Sequence, residues 1–146
     1  MLKSIYHTGF VVQDVEKSLA FYTDVMGFKL LYRTHRNDEF VEKVLGFEGA
    51  HIRGAFMSLD NGYALELIQY IYPSSAEGHT DRNNLGATHL AFKVENLDEY
   101  YAAMSRKGLR FVNPPATLIE DGVLVRKAAY CQDPDGNWLE FVEFPE

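Results

Sequence analysis

The chain has 146 residues, enough for one domain with a genuine core or two small, intimate ones. Apolar residues make up 47% and charged residues 24%, the balance of an ordinary soluble globular protein. A net charge of −7, no long run of Lys or Arg and no apolar run of membrane-spanning length argue against nucleic acid and membrane partners.

The opening "MLKSIYH" lacks the apolar stretch of a secretory signal, so a cytoplasmic location is expected. The single cysteine, Cys131, cannot form an internal disulfide, which fits a reducing compartment. It reads as a small buried strand residue.

From His7 the residues alternate, with His7, Gly9 and Val11 on one side and Phe10 and Val12 on the other, the period of a strand. Asp14 suits a helix N-cap. Val15, Leu19, Tyr22 and Met26 follow at helical spacing, and Gly27 supplies the stop. "FKLLYR" resumes extended character, and 34–50 reads as a longer, less regular excursion. "AFMSLDNGYALELIQY" is a hairpin turning at Asn61-Gly62. "IYPSSAEGHTDRNNLG" then has the composition of a linker, dividing a first unit (1–70) from a second (87–146) across 71–86.

The second unit repeats the first. Aligning His89 on His7 brings Phe92 onto Phe10, Val94 onto Val12, Leu97 onto Val15 and Ala102 onto Ala20. Asn96 caps the next helix with Glu99 as capping-box partner. Leu97, Tyr100, Tyr101 and Met104 form its apolar stripe, Gly108 ends it, and "LRFV" reads as the next strand. Segment 113–126 is a second irregular excursion, and "AAYCQDPDGNWLEFVEF" is a hairpin turning at Pro134-Asp135-Gly136. Glu follows Gly by four residues and Ala by eleven in both hairpins: Gly62, Ala55 and Glu66, then Gly136, Ala129 and Glu140. A self-match of this depth indicates two copies of one unit.

Four residues do not suit a core. Glu66 lies inside "ALELIQ" and Glu140 inside "WLEFVEF", and burying an unpartnered carboxylate costs on the order of several kcal/mol. His7 and His89 open their strands at matched positions. Parity turns Leu65, Leu67, Leu139, Phe141, Phe10 and Phe92 away from these four. Helices on the Leu/Phe face would leave two His and two Glu on the other, lined by Gly9, Val11, Ala64, Ile68, Ala91, Lys93, Trp138 and Val142. Two imidazoles and two carboxylates suit one divalent zinc, nickel, cobalt, manganese or iron ion. The alternative is that duplication copied a structural His and a solvent-facing Glu.

With "HTGFVVQDVEKSLAFYTDVMGFKLL", "ALELIQY", "GATHLAFKV" and "DPDGNWLEFVE", nearly the whole chain resembles the vicinal oxygen chelate superfamily: glyoxalase I, methylmalonyl-CoA epimerase, extradiol dioxygenases, and fosfomycin or bleomycin resistance proteins. The resemblance implies an α+β fold of two tandem βαβββ modules forming a cupped mixed sheet with helices outside, around one metal ion, commonly as a homodimer. The family's metal positions fall on His7, Glu66, His89 and Glu140, a set similar to that of glyoxalase I. It implies a metal-dependent isomerase or lyase acting on a small carbonyl substrate through an enolate or enediolate, with Glu140 as base and Glu66 second in line. The other readings are an Fe(II) extradiol ring-cleaving dioxygenase, using His7, His89 and Glu140, an epimerase of an acyl thioester, and a non-catalytic binder of cationic drugs of the bleomycin type.

Two departures set this chain apart from glyoxalase I. Val11 stands where an arginine meets the glutathione carboxylate, and Tyr70 where an asparagine often follows the first metal glutamate. His51, Arg53, Lys93 and Trp138 are candidate substrate-binding residues. Glu48 reads as a surface charge, His35 and His79 as polar-loop residues without a role, and the acidic runs "NDEF" and "ENLDE" as caps and solvated faces.

Overall fold

Strand-period segments alternate with capped helical ones twice along the chain, and the computed structural model, which describes residues 1–76, 78 and 81–145, has that order. It consists of two units, 1–78 and 79–146. Each is built on a four-stranded mixed sheet carrying helix, an α+β arrangement.

In the first unit β1 (His7–Val11) leads into α1 (Val15–Ala20), which widens into a π-helical turn over Phe21–Val25. Then come β2 (Lys29–Arg36), α2 (Glu39–Leu45), β3 (His51–Ser58) and β4 (Ala64–Tyr72). The spatial order is β1-β4-β3-β2, with β1 parallel to β4 and the other pairs antiparallel. The Asp14 carboxylate accepts from the backbone N–H groups of Glu16 and Lys17, satisfying donors a helix start leaves open. Ala55, Met57, Leu65 and Leu67 are fully buried, as are Val12 and Tyr22. Each such leucine contributes about 2 kcal/mol by leaving water. Gln69, on the Leu67 face of β4, accepts from the Val15 N–H and ties α1 to that face.

The second unit runs β5 (His89–Lys93), α3 (Leu97–Arg106), β6 (Ala116–Glu120), β7 (Val123–Gln132) and β8 (Trp138–Glu143), ordered β5-β8-β7-β6. Asn96 caps α3 by accepting from the Glu99 N–H. Leu97, Leu139, Phe141 and Cys131 are buried. Glu143 accepts from the Leu97 N–H, joining β8 to the start of α3.

Three expectations need correction. Segment 34–50 is regular: β2 extends to Arg36, and α2 follows, capped by Asp38 and stopped by Gly46 at φ 73°. Likewise, 113–126 holds β6 and the start of β7. "LRFV" is not a full strand. It makes one bridge, Phe111 to Cys131, and the Val112 N–H donates to the Tyr130 carbonyl. Pro114 and Pro115 follow, with no N–H to extend a ladder, so the strand is displaced to Ala116.

Candidate functional site

Register places the first His and Glu side by side. His7 is opposite Ala64 and Gly9 opposite Glu66 on the parallel β1–β4 pair, so His7 and Glu66 share a face, two pleats apart. His7 Nε2 is 3.0 Å from Glu66 Oε2. The Glu66 side chain is 15% exposed, and burial raises its pKa, an effect His7 partly offsets. Phe56, opposite Glu66 on β3, meets the His7 ring edge-on at 5.3 Å, and Tyr6 packs edge-on against the same ring at 4.9 Å, with Phe56 as its neighbour at 6.4 Å. Tyr32 stacks on Phe56 and hydrogen-bonds Tyr6, which, with burial and the Glu66 charge, raises the Tyr32 pKa. His7 Nδ1 is buried without a hydrogen-bond partner, so the ring's polar reach is spent on the Glu66 side.

The second unit repeats this pair atom for atom. His89 is opposite Trp138 and Ala91 opposite Glu140; His89 Nε2 is 3.2 Å from Glu140 Oε2, and the Glu140 side chain is 16% exposed. The Phe56 position is taken by Tyr130, which is opposite Glu140 on β7 and meets the His89 ring at 5.3 Å. Burial raises the Tyr130 pKa, reinforced by the hydrogen bond its hydroxyl donates to Glu140. Sequence reading passed over Tyr130. The hairpin turn around Asp135 pairs 130 with 140 and is the signal that finds it.

The other candidates divide by face. Lys93 and Trp138 share the Glu140 face through their partners Val142 and His89. Trp138 is covered by Arg82, whose guanidinium carbon is 4.4 Å from the ring centroid. His51 and Arg53 do not reach Glu66. Arg53 is opposite Gln69, the residue tied to α1, and its charge acts on Glu16 of that helix. His51 Nε2 meets His35 Nε2 at 2.6 Å, and His35 is opposite Arg53. Strand alternation thus sends these three to the helix-bearing face, and His35 is a β2 residue, not a loop one. Glu48 is an exposed turn residue, and His79 lies outside the described residues. Cys131 is buried, which pushes its thiol pKa up to about 12, and Asp133 adds to the shift.

Each pair suits two neighbouring ligands of one divalent ion. With metal–ligand distances of about 2.1 Å, adjacent ligand atoms are about 3.0 Å apart in an octahedron and about 3.4 Å in a tetrahedron. The two N···O separations, 3.0 and 3.2 Å, fall at and within those limits. Burial also makes each ionised carboxylate costly, and a bound cation would offset that cost. Among the described residues, no third His, Cys, Asp or Glu joins either pair to make a cluster.

Comparison with known proteins gives the family and the fold. Residues 4–141 match the Glyoxalase/Bleomycin resistance protein/Dioxygenase superfamily. The lactoylglutathione lyase of Salmonella typhimurium is 30% identical over 139 residues, covering 95% of this chain and 91% of that one. A 2-epi-5-epi-valiolone epimerase from an Actinomyces species is 26% identical over 148 residues, covering 97% and 80%. The crystal structure of a glyoxalase family protein from Bacillus cereus superposes with a TM-score of 0.86 over 100% of this chain and 97% of that one; at 21% identity it attests the fold alone. By the reach of the match and the shared fold, the chain belongs to the Glyoxalase/Bleomycin resistance protein/Dioxygenase superfamily.

Proposed function

We propose that the protein is a divalent-metal-dependent isomerase or lyase acting on a small carbonyl compound through an enolate or enediolate. The supporting observation is the duplicated His–Glu pair: the same atoms face each other, at 3.0 and 3.2 Å, with carboxylates equally withdrawn from water. His7, Glu66, His89 and Glu140 would together hold one ion. When bound, that ion supplies Lewis-acid stabilisation of a developing oxyanion.

Glu140 takes the proton from the carbon beside the carbonyl and returns it to the neighbouring carbon. The Tyr130 hydroxyl orients the carboxylate for this, and general base catalysis by such a group is worth about 10²–10⁴-fold in rate. Glu66 has no phenol at the matching position, where Phe56 stands, and burial favours its protonated form. It serves as ligand and second acid. A related reading, supported by the epimerase among the relatives, has Glu66 return the proton to the same carbon from the other side.

Val11 stands without charge at the position for a glutathione carboxylate and is half exposed, so the reading favours substrates other than glutathione adducts. The test is metal-loaded protein in deuterium oxide with α-hydroxy carbonyl compounds and acyl thioesters. Deuterium entry beside the carbonyl, lost in Glu140→Gln, supports the reading. Metal uptake with no exchange in any compound, or oxygen consumption with a catechol on iron loading, contradicts it.

A further inference from the structure

The Glu140 face of the second unit is cationic in a chain of net charge −7. Among the described residues, Glu140 is the one acidic side chain that the registers of β5, β7 and β8 place on it. Lys93 shares it through Val142, and its ammonium nitrogen is 6.0 Å from the Phe144 ring centroid. Arg126 shares it two pleats from Tyr130. Arg82 reaches it from the segment before β5, held by turns from the Asn84 N–H to the Asp81 carbonyl and from the Ala87 N–H to the Asn84 carbonyl. Its guanidinium lies on Trp138, the neighbour of His89.

Arg126 and Tyr130 lie four residues apart on the same face of β7, and Tyr130 is opposite Glu140. By contrast, the Lys127 ammonium meets Asp98 and Glu143, and Asp98 belongs to α3.

We infer that this face binds an anionic group, a carboxylate or phosphate, and that Arg82 and Arg126 are its partners, with Lys93 adding charge. A guanidinium fork on an aromatic ring is pre-organised for such two-oxygen groups, and clustered cations concentrate anions at a cleft. The inference rests on the proposed function only in making the anion part of the substrate: a carbonyl compound bearing a carboxylate or phosphate. Arg82 and Arg126 are then specificity determinants, while the proton chemistry stays with Glu140.

Trp138 is the single tryptophan, so its emission reports on Arg82 directly. Inorganic phosphate and acetate are titrated into metal-free protein at constant ionic strength, with chloride as control. The expected result is a saturable, millimolar change in emission with phosphate or acetate and not with chloride. Arg82→Ala abolishes it, Arg126→Ala weakens it tenfold or more, and Lys127→Ala leaves it intact. Circular dichroism confirms that each variant folds. A flat titration in the unsubstituted protein, an equal response to chloride, or an undiminished response in Arg82→Ala overturns the inference. Deuterium exchange, run separately, keeps the two claims apart. Anion binding without exchange removes the reaction and keeps the site; exchange without anion binding does the reverse.

Discussion

Tyr130 and Glu140 face each other across the β7–β8 ladder, and the phenol donates to the carboxylate; the matching pair in the first unit, Phe56 and Glu66, has no such donor. Duplication has thus left two similar carboxylates with different partners. Tyr130→Phe restores the symmetry and is expected to lower the exchange rate about tenfold, the worth of one hydrogen bond to a charged group. Glu140→Gln is expected to lower it by about 10²–10⁴. Deuterium incorporation by mass spectrometry separates the two.

The ionised Glu66 carboxylate carries a burial cost that a bound cation offsets. Burial raises its pKa, and the nearest partner is an imidazole. Glu66→Gln removes the charge without changing shape. Without metal the variant is expected to be as stable as the parent or more so, by about 1 kcal/mol, a rise of about 2–4 °C in the unfolding midpoint. With nickel or zinc added, the parent gains stability and the variant gains less. Scanning calorimetry with and without metal checks this reversal of order.

One residue along the strand, packing replaces chemistry. Leu67 is fully buried on the opposite face from Glu66. Leu67→Ala is expected to cost about 2–5 kcal/mol through lost burial and the cavity left behind. Its metal content is expected to match the parent's under conditions where it is folded. Denaturant titration beside metal analysis tests both halves.

Cys131 supplies a pH dependence. Its thiol pKa is raised to about 12 in the folded chain, so the folded state holds the proton more tightly than the unfolded one. The stability this gives is complete below about pH 9, where a thiol in the unfolded chain begins to ionise, and is lost as pH climbs toward about 12. Cys131→Ala is expected to shift stability by a constant amount at neutral pH and to flatten the alkaline decline. The native thiol is also expected to resist a disulfide reagent at pH 8 until the chain unfolds.

The repeat made much of this architecture legible. Parity around His7, Glu66, His89 and Glu140 separates the buried face from the His–Glu face because a strand alternates its sides, and both hairpins keep the same register. What was hidden depended on longer-range placement. His51 and Arg53 alternate correctly with their neighbours, but which face they take is set by the pairing of Ile52 with Tyr70 and of Arg53 with Gln69. Helix α2 is short and lies in a polar stretch, although its Asp38 cap and Gly46 stop were there to be read. Arg82 sits in a segment of linker composition, and nothing local indicates that it will lie on Trp138.

The most direct test of the account counts ions. Chain loaded with nickel or zinc and freed of excess is analysed for metal by elemental mass spectrometry, alongside His7→Ala, Glu66→Ala, His89→Ala and Glu140→Ala. One ion per chain, lost or weakened at least tenfold by substitution in either unit, is the expected result. Two independent ions per chain, or one that survives all four substitutions, would contradict a single centre drawn from both halves.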